Sequence, residues 1–415
     1  MVEHCRMGPG RMGRVGRRAI VAGGAAVLAL GAMPLRGLAQ VKTVKLGILH
    51  PMTGALSYSG SQGRAGALLA IEEINAAGGI KSMGGAKLDA VLGDAQSKPD
   101  VGAAEVDKLA DAGVAAVIGG FASGIVLATT QAAARVNLPY IVDVGVADGI
   151  VTRGLSNTFR FGPGQSKITT TAIDNLMKLN DGAGKPARTV MIVHEDGAFG
   201  AGLAKTMADE LPKRGFEILE IIPHPTPNRD FTNIALKIKA ANPDLLIPAN
   251  YYNEYVLLAR TLLQQKVQVK AIYSVLGGAA SNVKFVTEFN EAAQYIMDCN
   301  HWYDPRKPAS IAFAKALADR KVDLTYETML NYSAVKLVAD ALEHAGTDDR
   351  AKLMVALAAS TFDGHIMPYG PTKFVDGQNQ GAQPVNTQIR GKVIEVIFPK
   401  EFASAEPVFP MPPRG

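Results

Sequence analysis

The chain has 415 residues and a formal net charge of +5, from 43 lysines and arginines against 38 aspartates and glutamates. The excess sits in residues 1–39, which hold six arginines and one acid; beyond them basic and acidic side chains are equal in number, so no basic patch argues for nucleic acid or an anionic membrane. The two cysteines are Cys5 and Cys299, and loss of the leader would remove Cys5 and exclude an intramolecular disulfide.

Residues 1–39 read as a leader. Arg6, Arg11, Arg14, Arg17 and Arg18 form a basic stretch, Ala19 to Leu35 is apolar, and Gly37-Leu38-Ala39 is a small-x-Ala cleavage signal. The apolar stretch is short and glycine-rich for a membrane span. The Arg17-Arg18 pair suggests twin-arginine export. The bulky residue and lysine expected after it are absent, which leaves Sec export open, and Met7 and Met12 are alternative starts. The expected location is the periplasm.

The remaining chain is long enough for two domains. Strands are expected at Val44–Leu49, Lys87–Leu92, Val114–Ile118 and Tyr140–Val142, with helices at Ala65–Asn75, Val101–Ala110 and Gly124–Val136. Small residues at Thr53, Gly54, Ser57, Ser59 and Gly60 read as a turn between the first strand and helix. Phe161-Gly162-Pro163-Gly164 reads as a hinge strand. A second series follows. Its strands are expected at Val190–Val193, Ile218–Ile222, Leu245–Ile247 and Ala271–Tyr273, and its helices at Ile168–Leu179, Gly202–Arg214, Thr232–Ala240 and Tyr255–Gln264. Such alternation predicts an α/β fold of parallel sheets covered by helices on both faces, in two lobes. Helices at Ile311–Asp319, Met329–Ala345 and Lys352–Ala359 exceed what a cap on the second lobe needs. A strand is expected at Val393–Phe398, and the proline-rich tail after it reads as loose.

No G-x-S-x-G elbow occurs, and the histidines show no metal-ligand spacing. No catalytic residue, metal site or cofactor is expected. In doubly wound lobes ligands sit beyond the carboxyl ends of the strands. After Val114–Ile118 comes Gly119-Gly120-Phe121-Ala122-Ser123-Gly124, where Ser123 is placed as a helix N-cap and the N–H groups around it suit a carboxylate. The opposing reading is a plain cap.

The run PMTGALSYSGSQGRAGALLAIEEINAAGGI, Pro51 to Ile80, resembles the opening of the periplasmic leucine/isoleucine/valine-binding family, the type I solute-binding proteins of ABC importers. The similarity extends, with gaps, from about Val44 to about Phe398. It implies two doubly wound parallel-sheet lobes joined by a three-crossing hinge. Lobe 1 would be residues 42–162 plus 300–375, lobe 2 residues 163–299 plus 376–403, and 404–415 a loose tail. It implies a soluble, monomeric binder of a small-molecule ligand, with permease and ATPase subunits of the membrane as partners.

The resemblance also implies ligand-lining positions. Phe121, Ala122 and Ser123 match one lining segment, and Ser59 another. Val146-Ala147 stand where amino-acid binders often have Ala-Thr, so a hydroxyl for the ligand's amino group is missing. Phe199 takes an aromatic place before glycine, and Tyr251-Tyr252 match a tyrosine that closes over the ligand. The loop Ser274–Ala280, with Leu276 at its centre, lacks the glutamate that pairs an α-ammonium in the family. A buried ammonium without a partner is costly. An aromatic or aliphatic carboxylate is therefore expected over an amino acid, with Glu195 or Asp143 as substitutes for the missing acid if an amino acid binds. Trp302 stands at the last expected crossing, as cleft wall or as packing, and Cys299 reads as a small buried residue. A ligand-sensing module of the same fold and a two-lobed hydrolase are the alternatives.

Overall fold

The computed structural model describes residues 42–414, so the leader lies outside the described residues. The first series is β1 (Thr43–His50), α1 (Ser57–Ala76), β2 (Lys87–Asp94), α2 (Pro99–Asp111), β3 (Ala116–Gly119), α3 (Ser123–Arg135), β4 (Tyr140–Val142) and β5 (Thr158–Arg160). The second begins with α4 (Gln165–Gly182), β6 (Thr189–Glu195), α5 (Ala198–Glu210), β7 (Glu217–His224) and α6 (Thr232–Ala241). It continues with β8 (Leu245–Ala249), α7 (Tyr252–Gln264), β9 (Ala271–Val275), α8 (Val283–Glu288), α9 (Asn290–Ala293) and β10 (Met297–Asn300). Then come α10 (Pro308–Asp319), α11 (Tyr326–Ala345), α12 (Arg350–Ala358), a short hairpin β11 (Phe374–Val375) and β12 (Gln378–Asn379), and finally β13 (Val385–Arg390) and β14 (Val393–Phe398).

Two seven-stranded sheets result, in the orders β11-β12-β5-β4-β3-β1-β2 and β14-β13-β10-β9-β8-β6-β7. The strands of each βα series pair in parallel, as helical crossovers require, whereas β11–β12 and β10–β13–β14 are antiparallel. The fold is thus α/β with two wound sheets and an antiparallel edge on each. The chain leaves the first sheet after β5, leaves the second after β10, and returns between Asn379 and Val385. Because the hairpin belongs to the first sheet, that return falls beyond the expected boundary at 375.

The late helices explain the first return. Helix α11 packs lengthwise on α1, and the contact depends on small residues. A Cβ at Gly66 would lie 2.2 Å from the Thr328 carbonyl oxygen, a backbone atom that cannot swing away. Gly66→Ala should therefore lower stability by about 1–3 kcal/mol, measurable as a fall in melting temperature; an unchanged value would mean the two helices are free to separate. The same packing makes α1 start at Ser57 rather than Ala65. Ser59, Gly60 and Gly63 are weak helix formers, but all are buried, and tertiary contact overrides local propensity.

The opening turn is consequently shorter than expected, and it is closed by its own neighbours. Asp94 accepts the N–H of Met52 (2.8 Å) and the hydroxyl of Thr53 (2.9 Å), while Ser97 donates to the Thr53 carbonyl (2.7 Å) and accepts the Leu56 N–H (3.1 Å). The Pro-x-Thr-Gly segment is framework here.

The tail is another correction. Val408 exchanges two hydrogen bonds with the Gln388 side chain, Met411 N–H donates to the Lys270 carbonyl (2.7 Å), and Arg414 exchanges two with Gln268. Met411 is buried. Prolines that forbid helix and strand also restrict the unfolded tail, which lowers the entropy lost on docking it. Among the described residues no helix is long and apolar enough to cross a membrane.

Candidate functional site

The carboxyl ends of both sheets face a cavity containing about 360 Å³ of space between atoms, its mouth included. The first lobe contributes Phe121, Ser123, Val144 and Val146; the second contributes Phe199, Asn250, Tyr251 and Leu276. Asn300 and His301, where the chain leaves β10, and Tyr326, the first residue of α11, complete the wall.

Two apolar wall residues sit on unusual backbone. Phe121 follows β3 with φ +55°, and Leu276 follows β9 with φ +56°. Left-handed φ at such residues costs about 1–3 kcal/mol each and persists only where surroundings impose it. For Phe121 the imposition starts at Gly119, where a Cβ would lie 2.0 Å from the Leu49 carbonyl oxygen. For Leu276 it comes from β10. The Leu276 N–H donates to the Cys299 carbonyl (3.0 Å), and the Gly277 N–H donates to Asp298 (2.9 Å). Asp298 also accepts from Ser281 (2.8 Å) and Asn300 (2.9 Å), and burial pushes its carboxyl up to about 6. Cys299 is fully buried, and burial raises its thiol, so it packs as a small apolar residue.

Three aromatic rings meet across the cleft. Tyr251 lies 5.6 Å from Phe121 and 5.3 Å from Phe199, ring centre to ring centre. Burial, then Glu195 and Glu254, hold the Tyr251 phenol well above its ordinary value, so it stays protonated.

Ser123 is the first residue of α3, whose N-cap is Ala122 without a side-chain cap bond. The expected cap is therefore absent. Instead the Ser123 hydroxyl oxygen accepts the N–H groups of Val146 and Ala147, each at 3.2 Å. Its own O–H remains available as a donor, and the first intrahelical N–H is that of Val126 to Ala122. The N–H groups of Ser123, Gly124 and Ile125 precede it at the positive end of the helix.

Behind this segment lies Arg160. Its guanidinium is buried and donates to the carbonyls of Val146 (2.7 Å) and Ala147 (2.8 Å) and to the Gln378 side chain (2.6 Å). Burial lowers it to about 10, which leaves it cationic at neutral pH. Burial and the nearby Arg160 charge lower His301 to about 3, so that ring is neutral. Among the described residues no carboxylate lies on the wall. Asp143 accepts its neighbour Val144 N–H (2.6 Å) and faces His50 at 3.5 Å; Glu195 accepts the N–H groups of Gly197 and Gly200, both at 2.8 Å. Glu195 thus serves the framework, whereas one Asp143 oxygen has no hydrogen-bond partner among the described residues. Among the described residues the wall offers donors at one end, an apolar body elsewhere and no carboxylate for an ammonium, with Arg160 behind it 3.9 Å from Asp148.

Of the residues singled out in the sequence, Phe121, Ser123, Val146, Phe199, Tyr251 and Leu276 share the wall. Ala122 and Ala147 are buried beside it without lining it. Ser59 lies within α1 next to Glu327. Tyr252 turns away to stack on Tyr58, 4.2 Å between ring centres. Trp302 packs in the core beside Tyr303 and is not part of the wall. Sequence reasoning missed Val144, Asn250, Asn300, His301 and Tyr326. The rule of strand carboxyl ends would have found Asn250, which directly follows β8. Tyr326 comes from a helix that the topology alone brings to the cleft.

A model of the periplasmic binding protein family matches residues 43–388. The Leu/Ile/Val-binding protein BraC3 of Rhizobium johnstonii is 28% identical over 339 residues, covering 81% of this chain and 88% of BraC3. Among solved structures, the branched-chain amino acid transporter substrate binding protein LivJ of Streptococcus pneumoniae, in complex with isoleucine, has a TM-score of 0.72 at 23% identity, covering 89% of this chain and 100% of LivJ. A solute binding protein of an ABC transporter from R. palustris, in complex with benzoate, has a TM-score of 0.74 at 20% identity, covering 86% of this chain and 95% of that one. At these identities the two structures show a shared fold.

Proposed function

The chain belongs to the periplasmic binding protein family, and from that premise we propose that it is the exported solute-binding component of an ABC importer. Its two lobes close on one small carboxylate with an aromatic or aliphatic body and present the closed form to a membrane permease. No covalent bond is made or broken. The observation that carries the ligand class is the wall itself: Ser123 and the α3 N-terminus backed by buried Arg160, three aromatic rings, and no carboxylate. Of the ligands in the two structural neighbours, isoleucine brings an ammonium that this wall leaves unpaired, whereas benzoate does not.

The test is a thermal-shift screen of the ligand-free protein, because a solute bound only by the folded state raises the melting temperature. Aromatic and branched aliphatic acids should raise it, and their methyl esters should not. Equal shifts from acid and ester would remove the carboxylate from the reading. Ser123→Ala should weaken binding of the acids by about 1–3 kcal/mol if its O–H meets the carboxylate, as measured by calorimetry. An unchanged affinity would leave Ser123 only the bracing of Val146 and Ala147.

A further inference from the structure

Asn250 directly follows β8 on the cavity wall, with its side chain fully buried. Its amide orientation is set by His224, the last residue of β7. The Nδ1 of His224 lies 2.9 Å from the Pro225 carbonyl. A carbonyl only accepts, so Nδ1 carries the ring proton. Burial lowers the pKa of this imidazole, so Nε2 is a bare acceptor at neutral pH. Nε2 meets the Asn250 side-chain nitrogen, which donates to it. The Oδ1 of Asn250 is then the free end of the amide, and among the described residues no donor reaches it.

His301 supplies the converse. Its Nδ1 lies 3.2 Å from the hydroxyl of buried Tyr369. Among the described residues that hydroxyl has no other acceptor, so it donates to Nδ1; Nε2 then keeps the ring proton and is buried without a partner. Both residues line the cavity. An unmet buried acceptor is costly.

We propose that Asn250 Oδ1 is a specificity site for a neutral O–H or N–H donor carried on the ligand's apolar body, so that the favoured solute is a hydroxylated aromatic or aliphatic carboxylate. His301 Nε2 serves the acceptor oxygens of the same molecule. This rests on the carboxylate reading above. An ammonium suits the position poorly, because one neutral amide oxygen leaves its charge and its other N–H groups unmatched.

Calorimetry on the full protein, unfolded to release any solute and refolded, tests this with benzoate, 3- and 4-hydroxybenzoate and the matching methoxybenzoates. A branched aliphatic acid and its hydroxylated counterpart form a second series. In at least one series the hydroxylated acid should bind roughly tenfold or more tightly than its parent. The methoxy forms, which carry the oxygen without the proton, should gain nothing. In Asn250→Leu the ratio of hydroxylated to parent acid should fall to near one. Parents that bind as well as their hydroxylated forms in the unaltered protein would overturn the proposal, since a water would then satisfy Oδ1; this comparison needs no variant. A ratio retained in Asn250→Leu would overturn it too. If carboxylates bind without the hydroxyl preference, only this inference falls. If no carboxylate of either series binds, the proposed function falls with it.

Discussion

Above about pH 7 the Glu327→Gln protein should be more stable than the unaltered chain by about 3 kcal/mol, and the difference should vanish near pH 4. Glu327 is in the first turn of α11 with no exposed surface. Its polar neighbours are the hydroxyls of Ser59, Thr325 and Tyr326, and none completes a hydrogen bond to either carboxylate oxygen. Burial, working against the lowering pull of those hydroxyls, pushes the carboxyl from 4.5 up to about 7. The Tyr58 and Tyr252 phenols face it from α1 and α7, and Asp323 lies close to both tyrosines; burial and these negative charges raise both phenols, so they stay neutral.

The sign follows from the raised value. The folded state binds the Glu327 proton more tightly than the unfolded chain does. The stability this contributes is complete below 4.5 and is lost as pH rises through about 7. Glutamine keeps the neutral form at every pH, so it escapes the loss. Each pH unit across that interval is worth about 1.36 kcal/mol. Urea unfolding of both proteins across the interval reads the difference directly and cancels other titrating groups, such as Asp298. A difference that does not change with pH, or a glutamine protein that is less stable at high pH, would show that Glu327 is paired in solution.

Much of the fold is legible because its strands are apolar runs of the right length. Tyr140–Val142 and Val393–Phe398 occur as read, and the other expected strands differ only at their ends. The strands β10 and β13 escape such reading for a physical reason. They bury Asp298, Asn300, Asn386, Thr387 and Gln388, and they satisfy them internally. Asn386 donates to the Tyr273 hydroxyl (2.7 Å) and accepts from Asn175 (2.7 Å). A buried strand whose polar groups bond one another has no hydrophobic pattern to detect. The site divides in the same way. Phe121, Ser123 and Tyr251 follow strands that could be read, so their positions could be inferred. Asn300 and His301 follow a strand that could not. Nothing in the sequence marks Arg160, and only the fold shows its guanidinium under Val146 and Ala147.

An acid without an amino group should bind the ligand-free protein roughly a hundredfold or more tightly than the amino acid of the same skeleton. An α-ammonium lies within a bond or two of the carboxylate, so it must enter wherever the carboxylate does. At that end of the cavity stand the Ser123 hydroxyl, the α3 N-terminus and Val146, with cationic Arg160 behind them. The helix end repels a positive group, and Arg160, 3.9 Å from Asp148, offers it no attraction. Glu195 is held by two backbone N–H groups, and Asp143, one oxygen of which has no hydrogen-bond partner among the described residues, lies beside His50; neither lines the cavity. Burying the unpaired ammonium costs several kcal/mol, of which about 3 or more should survive as a binding difference. Calorimetry with phenylalanine against 3-phenylpropanoate, and leucine against 4-methylpentanoate, measures it. Tighter binding of the amino acids would sink the ligand class, and Asp143→Asn and Glu195→Gln would then separate the two candidate partners: the variant that loses leucine while keeping the acid marks the carboxylate that pairs the ammonium.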